Sequence, residues 1–208
     1  IALGHVVHLL SDMTVPAHTR NDIHPSGDSY EQYIKKNWDS LYPQIKDKIK
    51  YRDLNNLESA FDVLAGFSNG YFYSDDTIES GDYNIQSVIR KEVLKQSDGN
   101  PLLFAFGGLG QTLYVSSGVN DWKEGGGKKF INHPSVITSY ATQLLPKSIG
   151  YSAGLIKLFF SESEKGNKGK DVALAQTTPT GYAATALGYV ANGAISLWDK
   201  ISDKTAPA

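Results

Sequence analysis

Apolar residues recur at intervals of three and four positions along much of the chain, which is the spacing of one face of an α-helix. Before residue 71 this spacing predicts three helices, at about residues 3–13, 28–41 and 54–70. Pro16 is expected to end or bend the first helix and Pro43 to interrupt the second, because proline removes a backbone donor. The same spacing resumes at residues 132–160 and predicts a long closing helix kinked at Pro146.

Residues 71–133 show a different pattern, with short apolar runs separated by glycines. The run "LLFAFGGLGQTLYVSS" predicts a β-hairpin that turns at Gly107–Gln111. We therefore expect a mainly all-α fold, in which a multi-helical domain carries residues 71–133 as a glycine- and aromatic-rich insertion. Six aromatic residues of this segment are expected to shape a ligand pocket: Tyr71, Phe72, Tyr73, Phe104, Phe106 and Tyr114.

The helical domain, residues 1–160, is expected to end where the composition becomes hydrophilic. Residues 161–171 are typical of a linker and residues 172–208 form a tail rich in Ala and Gly. The lysines of the linker are more typical of a solvated segment than of a nucleic-acid patch. Residues 181–198 are uncharged, but their content of Gly, Ala, Asn and Thr argues against a membrane span.

The composition restricts the chemistry that the chain can perform. Its 208 residues include no cysteine and carry a formal net charge of −2. Disulfides, thiolate nucleophiles and cysteine-bound zinc are therefore excluded, and any metal must be bound by imidazole and carboxylate groups. Because the net charge provides no overall positive field, we expect no extended nucleic-acid surface. A phosphate-bearing substrate would instead need a metal ion or a small cationic pocket.

Histidine and aspartate cluster on the polar face of the first predicted helix. His8 and Asp12 are four residues apart, so their side chains stand on neighbouring turns, and His18 follows six residues after Asp12 beyond a proline. This H-x3-D-x5-H spacing brings together ligands that suit a divalent cation in a protein without cysteine. The same spacing is also typical of an ordinary hydrogen-bonded pair, and spacing alone does not separate the two.

The segment "ALGHVVHLLSDMTVPAH" resembles the second metal-binding segment of the zinc-dependent bacterial phospholipases C, whose fold is shared with fungal single-strand nucleases. In that family a helix that begins Ala-Leu-Gly presents H-x3-D, and a proline and a histidine follow. The segment "GDSYEQYI" resembles the next helix of the family, with Glu31 at the position of a metal-binding glutamate. The resemblance covers residues 2–34 and extends to residues 134–160, and it implies four metal ligands: His8, Asp12, His18 and Glu31.

The sequence departs from the family pattern at one ligand. Gly27 stands four residues before Glu31, where the family has a histidine. Asp28 and His24 are the available substitutes, and we predict Asp28 as the fifth ligand. An alternative is a capping box, in which Asp28 caps the helix and Glu31 reaches back to its amide. The family's upstream ligands, including its proposed general base, have no counterpart before Ile1, so the chain is expected to be part of a longer protein and no catalytic base is assigned.

The resemblance implies a metal-dependent phosphodiester hydrolase that uses two or three zinc ions and attack by metal-bound hydroxide. The substrate would be a phospholipid or another phosphodiester, with peripheral contact to a membrane. The family also implies a secreted, periplasmic or surface-associated protein, although this chain shows no signal peptide. The alternatives are a catalytically incomplete domain that binds metal or a surface, and a helical scaffold with a polar cluster. The sequence does not define the oligomeric state.

Overall fold

The computed structural model describes residues 2–24, 27–83, 88–117 and 127–167, and in this part of the chain helices and a β-sheet occur together. The five α-helices are α1 (Ala2–Asp12), α2 (Pro16–Thr19), α3 (Ser29–Ile45), α4 (Leu57–Tyr71) and α5 (Pro134–Asn167). Two 3₁₀ helices span Lys46–Lys48 and Asp75–Thr77. The four strands are β1 (Arg90–Lys95), β2 (Pro101–Phe106), β3 (Thr112–Ser116) and β4 (Lys129–Phe130). The prediction of an all-α fold was therefore wrong.

The strands form one antiparallel sheet in the order β1-β2-β3-β4. The predicted hairpin is present: β2 pairs with β3, and the Gly107 amide donates to the Gln111 carbonyl at 2.9 Å across the turn. Gly110 has φ +76°, a conformation that glycine adopts at no steric cost. The outer strand β1, with the sequence RKEVLK, is half-exposed and charged, as is common at the edge of a sheet.

The sheet is part of the main core because β3 packs against α5. Every residue of β3 is buried, and the Tyr140 hydroxyl of α5 donates to the Leu113 carbonyl at 2.6 Å. The same hydroxyl accepts from the Tyr73 amide at 3.1 Å. A segment expected to be an insertion thus supplies core residues, which is the physical reason why the all-α prediction failed. Four of the aromatic residues expected in a ligand pocket are buried in this core: Phe72, Tyr73, Phe104 and Tyr114.

A second cluster of buried side chains joins the apolar face of α1 to α4 and to the later part of α5. Its members are Leu10, Ala60, Leu64 and Leu155. This packing fixes α1 with the His8 and Asp12 side of the helix away from the cluster, because apolar and polar residues occupy opposite sides of α1.

The helix boundaries differ from the prediction in two places. Pro43 lies inside α3, and the backbone instead departs from helical geometry at Asn37, with φ −118° and ψ 17°. The closing helix α5 continues to Asn167, so it includes residues 161–167, which were predicted as linker. The rest of the predicted linker and the Ala/Gly-rich tail lie outside the described residues.

Candidate metal centre

The turn between α1 and α2 places His18 next to the end of α1. The Val15 amide donates to the Asp12 carbonyl at 2.9 Å, which closes the turn. Pro16 then occupies the first turn of α2, where its missing amide is not needed. His18 lies in this one-turn helix, and its Nδ1 is 3.6 Å from Oδ1 of Asp12.

His24 approaches His18 from the loop that follows α2. The loop reverses at Asn21, which has φ +49°, a left-handed conformation that asparagine tolerates better than most residues. The Asp22 amide donates to the Ala17 carbonyl at 3.0 Å, and the Asp22 carboxylate accepts from the Asp76 amide at 3.1 Å. These contacts hold the loop so that the rings of His18 and His24 stack at 5.1 Å.

His18, His24 and Glu31 form a cluster that could hold a metal ion. Each offers one donor atom, and the three donors lie within 4.8 Å of one another. The two Nε2 atoms are 3.2 Å apart. Among the described histidine, aspartate and glutamate residues, these three are the group whose donor atoms all lie this close to one another. Two imidazole nitrogens and a carboxylate oxygen suit divalent transition metals.

A backbone contact determines which nitrogen of His24 is available to a metal. Nδ1 of His24 lies 2.8 Å from the Asp22 carbonyl oxygen, which can only accept a hydrogen bond. The neutral ring must therefore carry its proton on Nδ1, and the lone pair remains on Nε2. Nδ1 of His18 lies 3.6 Å from Oδ1 of Asp12, so a carboxylate oxygen also lies behind this ring. An oxygen behind each imidazole is the usual way in which proteins orient metal-binding histidines.

Glu31 lies in the first turn of α3, and Asp28 holds that turn in place. The Asp28 carboxylate accepts from the Glu31 amide at 2.9 Å, so Asp28 acts as the N-cap of the helix. Burial raises the pKa of the Glu31 carboxyl, the charge of His18 lowers it, and the charges of Asp28 and Asp12 raise it further. A carboxylate whose charge is disfavoured in this way would be relieved by a bound cation.

The structure places four of the five predicted ligands in two groups, uses the fifth as a helix cap, and adds a residue that was predicted only as a substitute. His18 and Glu31 belong to the cluster, while Asp28 caps α3 and His24 takes the third position. His8 and Asp12 form a neighbouring pair, with His8 Nε2 3.7 Å from Oδ2 of Asp12. The His8 side chain is 74% exposed and the Asp12 side chain only 17%. Asp12 therefore lies between the two histidines of the H-x3-D-x5-H motif.

A fully buried arginine anchors the chain between the two cluster histidines, at the end of α2. Arg20 Nε donates to the Thr77 hydroxyl at 2.6 Å, and its Nη1 donates to the Asn69 carbonyl at 2.7 Å. Its guanidinium also lies over the ring of Tyr83 at 4.1 Å, and the Tyr83 hydroxyl donates to the Arg20 carbonyl. Sequence reasoning missed Arg20, because arginine is seldom buried and its sequence neighbours do not indicate burial.

No family model, curated protein or solved structure matches this chain. The comparisons therefore neither support nor oppose the resemblance to the phospholipase C and nuclease superfamily. In the part of the chain that the structure describes, no helix has the length and apolar content needed to cross a bilayer.

Proposed function

We propose that the chain is a zinc-dependent phosphodiester hydrolase whose metal is held by His18, His24 and Glu31. The observation that carries the proposal is the convergence of these three donors within 4.8 Å. Two histidines and a glutamate form the ligand set of several catalytic zinc sites, in which a fourth position stays open, whereas structural zinc sites have four protein ligands. Among the described residues, no fourth donor joins this group.

The spacing of the donors supports zinc as the metal. Nitrogen ligands lie about 2.0–2.1 Å from a zinc ion, so two of them in a tetrahedral arrangement are about 3.3 Å apart. The Nε2 atoms of His18 and His24 are 3.2 Å apart, and Nε2 is the nitrogen of His24 that its Nδ1 contact leaves available.

A bound zinc ion supplies two effects, since it polarises phosphate oxygens and lowers the pKa of a coordinated water toward about 7. The residues of the chain supply the orientation and the charge. Asp12 and the Asp22 carbonyl hold the two imidazoles, while Glu31 contributes the only negative charge of the three donors. A divalent ion on this set keeps a net positive charge, which favours the anionic diester.

The family resemblance implies His8 and Asp12 as further metal ligands, and we assign them to a second ion. The position of Asp12 supports this part of the proposal, because its Oδ2 faces His8 and its Oδ1 faces His18. His8 and Asp12 would then hold the second ion beside the first, as in two-metal sites that clamp the attacking and leaving oxygens. The proposed substrates are phospholipids or other phosphodiesters, and we propose a location outside the cytoplasm with contact to a membrane surface.

The test is hydrolysis of a chromogenic phosphodiester by the full-length protein, with and without zinc, in the wild type and in the His24→Ala variant. We expect turnover that requires zinc and falls by at least about 10–100-fold in the variant, since even an outer partner of a metal ligand is worth that much. His5→Ala is the matched control, because it removes an imidazole of α1 that is outside the cluster, and it should keep the activity. Stoichiometric zinc without turnover would instead support a catalytically incomplete metal-binding domain.

Phosphatidylcholine and single-stranded DNA then separate the two substrate classes of the superfamily. Both contain a phosphodiester as the scissile group, so the metal ligands alone do not determine which of the two is hydrolysed. The low net charge of the chain favours the lipid, because grooves for single strands usually carry more lysine and arginine.

A further inference from the structure

A cationic cavity lies where the connection between α3 and α4 crosses α5. Its volume is about 190 Å³. The lining includes four cationic side chains and no carboxylate, namely Lys48, Lys50, Arg52 and Lys147. Phe67, Thr142, Gln143 and Pro146 complete the wall. None of these residues belongs to the metal cluster, so the cavity can be assessed independently of it.

Some residues of the segment that connects α3 to α4 line the cavity, and others lie outside it. Lys48, Lys50 and Arg52 line the cavity, whereas the intervening Tyr51 and the following Asp53 lie outside it. The Asp53 carboxylate instead accepts from the Tyr51 hydroxyl at 2.9 Å and pairs with Lys157 at 3.1 Å. The acidic residue that follows Arg52 in sequence is thus engaged elsewhere. Lys50 and Arg52 share one side, as expected for alternate residues of an extended chain, and Lys48 joins them from the end of the preceding 3₁₀ helix.

Two glycines of α5 fix the connection against the helix. A Cβ atom at Gly150 would lie 2.1 Å from the Lys50 carbonyl oxygen, and one at Gly154 would lie 1.9 Å from the Arg52 carbonyl oxygen. The Arg52 amide also donates to the Gly150 carbonyl at 3.2 Å. The backbone that carries the cations is therefore held in direct contact with α5, so the positions from which the side chains extend are set.

The cations of the cavity lack ion-pair partners among the described residues. Lys147 lies over the ring of Phe67 at 4.1 Å, and burial, followed by the charge of Arg52, lowers the pKa of its ammonium group. Cations that face one another in a partly enclosed space repel each other, and a bound anion would remove this cost.

We propose that this cavity is a binding site for a compact phosphate dianion, either free in solution or as the phosphomonoester headgroup of a lipid. Arginine matches phosphate oxygens with a planar pair of donors, and lysines add point charges around them. The cavity is smaller than the roughly 300–1,000 Å³ of sites for drug-sized ligands, which suits a small anion. The side-chain amide of Gln143 in the wall offers a further hydrogen-bond donor to its oxygens.

The first test is calorimetric titration of the full chain with inorganic phosphate at low ionic strength, in the presence and absence of EDTA. We expect one saturable site that persists in EDTA, which separates it from phosphate bound to metal. In Arg52→Gln and in Lys48→Gln the dissociation constant should rise by roughly tenfold or more, since each variant removes a charged hydrogen-bond donor. Lys46→Gln is the matched control, because Lys46 lies in the same 3₁₀ helix as Lys48 and does not line the cavity.

The second test is sedimentation with phosphatidylcholine vesicles that contain or lack phosphatidic acid. Binding that requires phosphatidic acid and is lost in Arg52→Gln identifies the lipid headgroup as the source of the phosphate. Binding of inorganic phosphate alone, with the same dependence on Arg52, identifies a soluble ligand. Absence of both, or binding that the two cavity variants leave unchanged while their melting curves match the wild type, overturns the proposal. None of these outcomes depends on zinc, so the proposed hydrolase stands or fails separately.

Discussion

Replacing His24 with alanine removes one of the three donors of the candidate metal site, which consists of His18, His24 and Glu31. An ion that binds the folded chain alone stabilises it by about 2.7 kcal/mol when the free ion is at 100 times its dissociation constant. A change of 1 kcal/mol shifts the Tm of a chain of this size by roughly 2–4 °C. Zinc at that concentration should therefore raise the Tm of the wild type by roughly 5–11 °C.

The zinc-induced shift in Tm expected for the His24→Ala variant follows from the loss of Nε2 of His24. That atom lies 3.2 Å from Nε2 of His18, so the substitution leaves His18 and Glu31 as the two remaining donors. If the dissociation constant rises by about 100-fold, the same zinc concentration contributes only about 0.4 kcal/mol. The zinc-induced shift in Tm should then fall to roughly 1–2 °C.

Scanning calorimetry of each protein, with EDTA and with a fixed concentration of free zinc, measures these shifts. Asp28→Ala is the informative comparison, because its carboxylate caps α3 by accepting from the Glu31 amide at 2.9 Å. Loss of a cap should cost about 0.5–2 kcal/mol both with and without zinc, and the zinc-induced shift should remain. A full zinc shift in His24→Ala, or its loss in Asp28→Ala together with an unchanged metal-free Tm, would refute the assignment of the ligands.

Four further substitutions test the fold and the electrostatics of the chain. Gly154→Ala should destabilise the chain by about 1–3 kcal/mol in urea unfolding, because the new Cβ would lie 1.9 Å from the Arg52 carbonyl; a neutral effect would mean that the connection is not held against α5. Tyr30→Phe should stabilise it by about 1 kcal/mol, since among the described residues the buried Tyr30 hydroxyl has no hydrogen-bond partner; destabilisation would show that the hydroxyl is used. Arg20→Met should cost about 3 kcal/mol and weaken zinc binding as well, because it removes the anchor of the chain between His18 and His24; unchanged unfolding would contradict that role. Glu31→Gln should stabilise the metal-free chain more at pH 7 than at pH 4. Because the pKa of Glu31 is raised in the folded state, ionisation of this carboxyl lowers the free energy of unfolding as the pH rises through that pKa, and glutamine does not ionise. An equal effect at both pH values in EDTA would argue against the raised pKa.

The four longer helices could be predicted from the sequence because their apolar residues keep one period over ten or more positions, whereas the one-turn helix α2 is too short to show such a period. The polar face of α1, with His8 and Asp12, followed from the same period. The sheet could be predicted only as an isolated hairpin, since β3 is buried through its contacts with Tyr140 and the rest of α5, which are distant in sequence. Packing between distant segments leaves no local pattern, so an all-α fold with an insertion was the wrong conclusion.

The ligand set was only partly predictable for a related reason. His18 could be identified from the H-x3-D-x5-H spacing and Glu31 from the family resemblance, whereas the position of His24 depends on the loop conformation at Asn21 and on the contact of its Nδ1 with the Asp22 carbonyl at 2.8 Å. Asp28 was the substitute favoured from sequence, and the structure uses its carboxylate as a helix cap. Whether a carboxylate caps a helix or joins the candidate cluster therefore depends on the backbone around it.

The most direct test is a crystal structure of the zinc-loaded chain, with diffraction data collected on both sides of the zinc absorption edge. We predict an anomalous peak within about 2.0–2.3 Å of Nε2 of His18, Nε2 of His24 and a carboxylate oxygen of Glu31. A zinc-loaded crystal without a peak at these three atoms, or with the ion bound by Asp28 in place of His24, would contradict the metal site from which the proposed hydrolysis is derived.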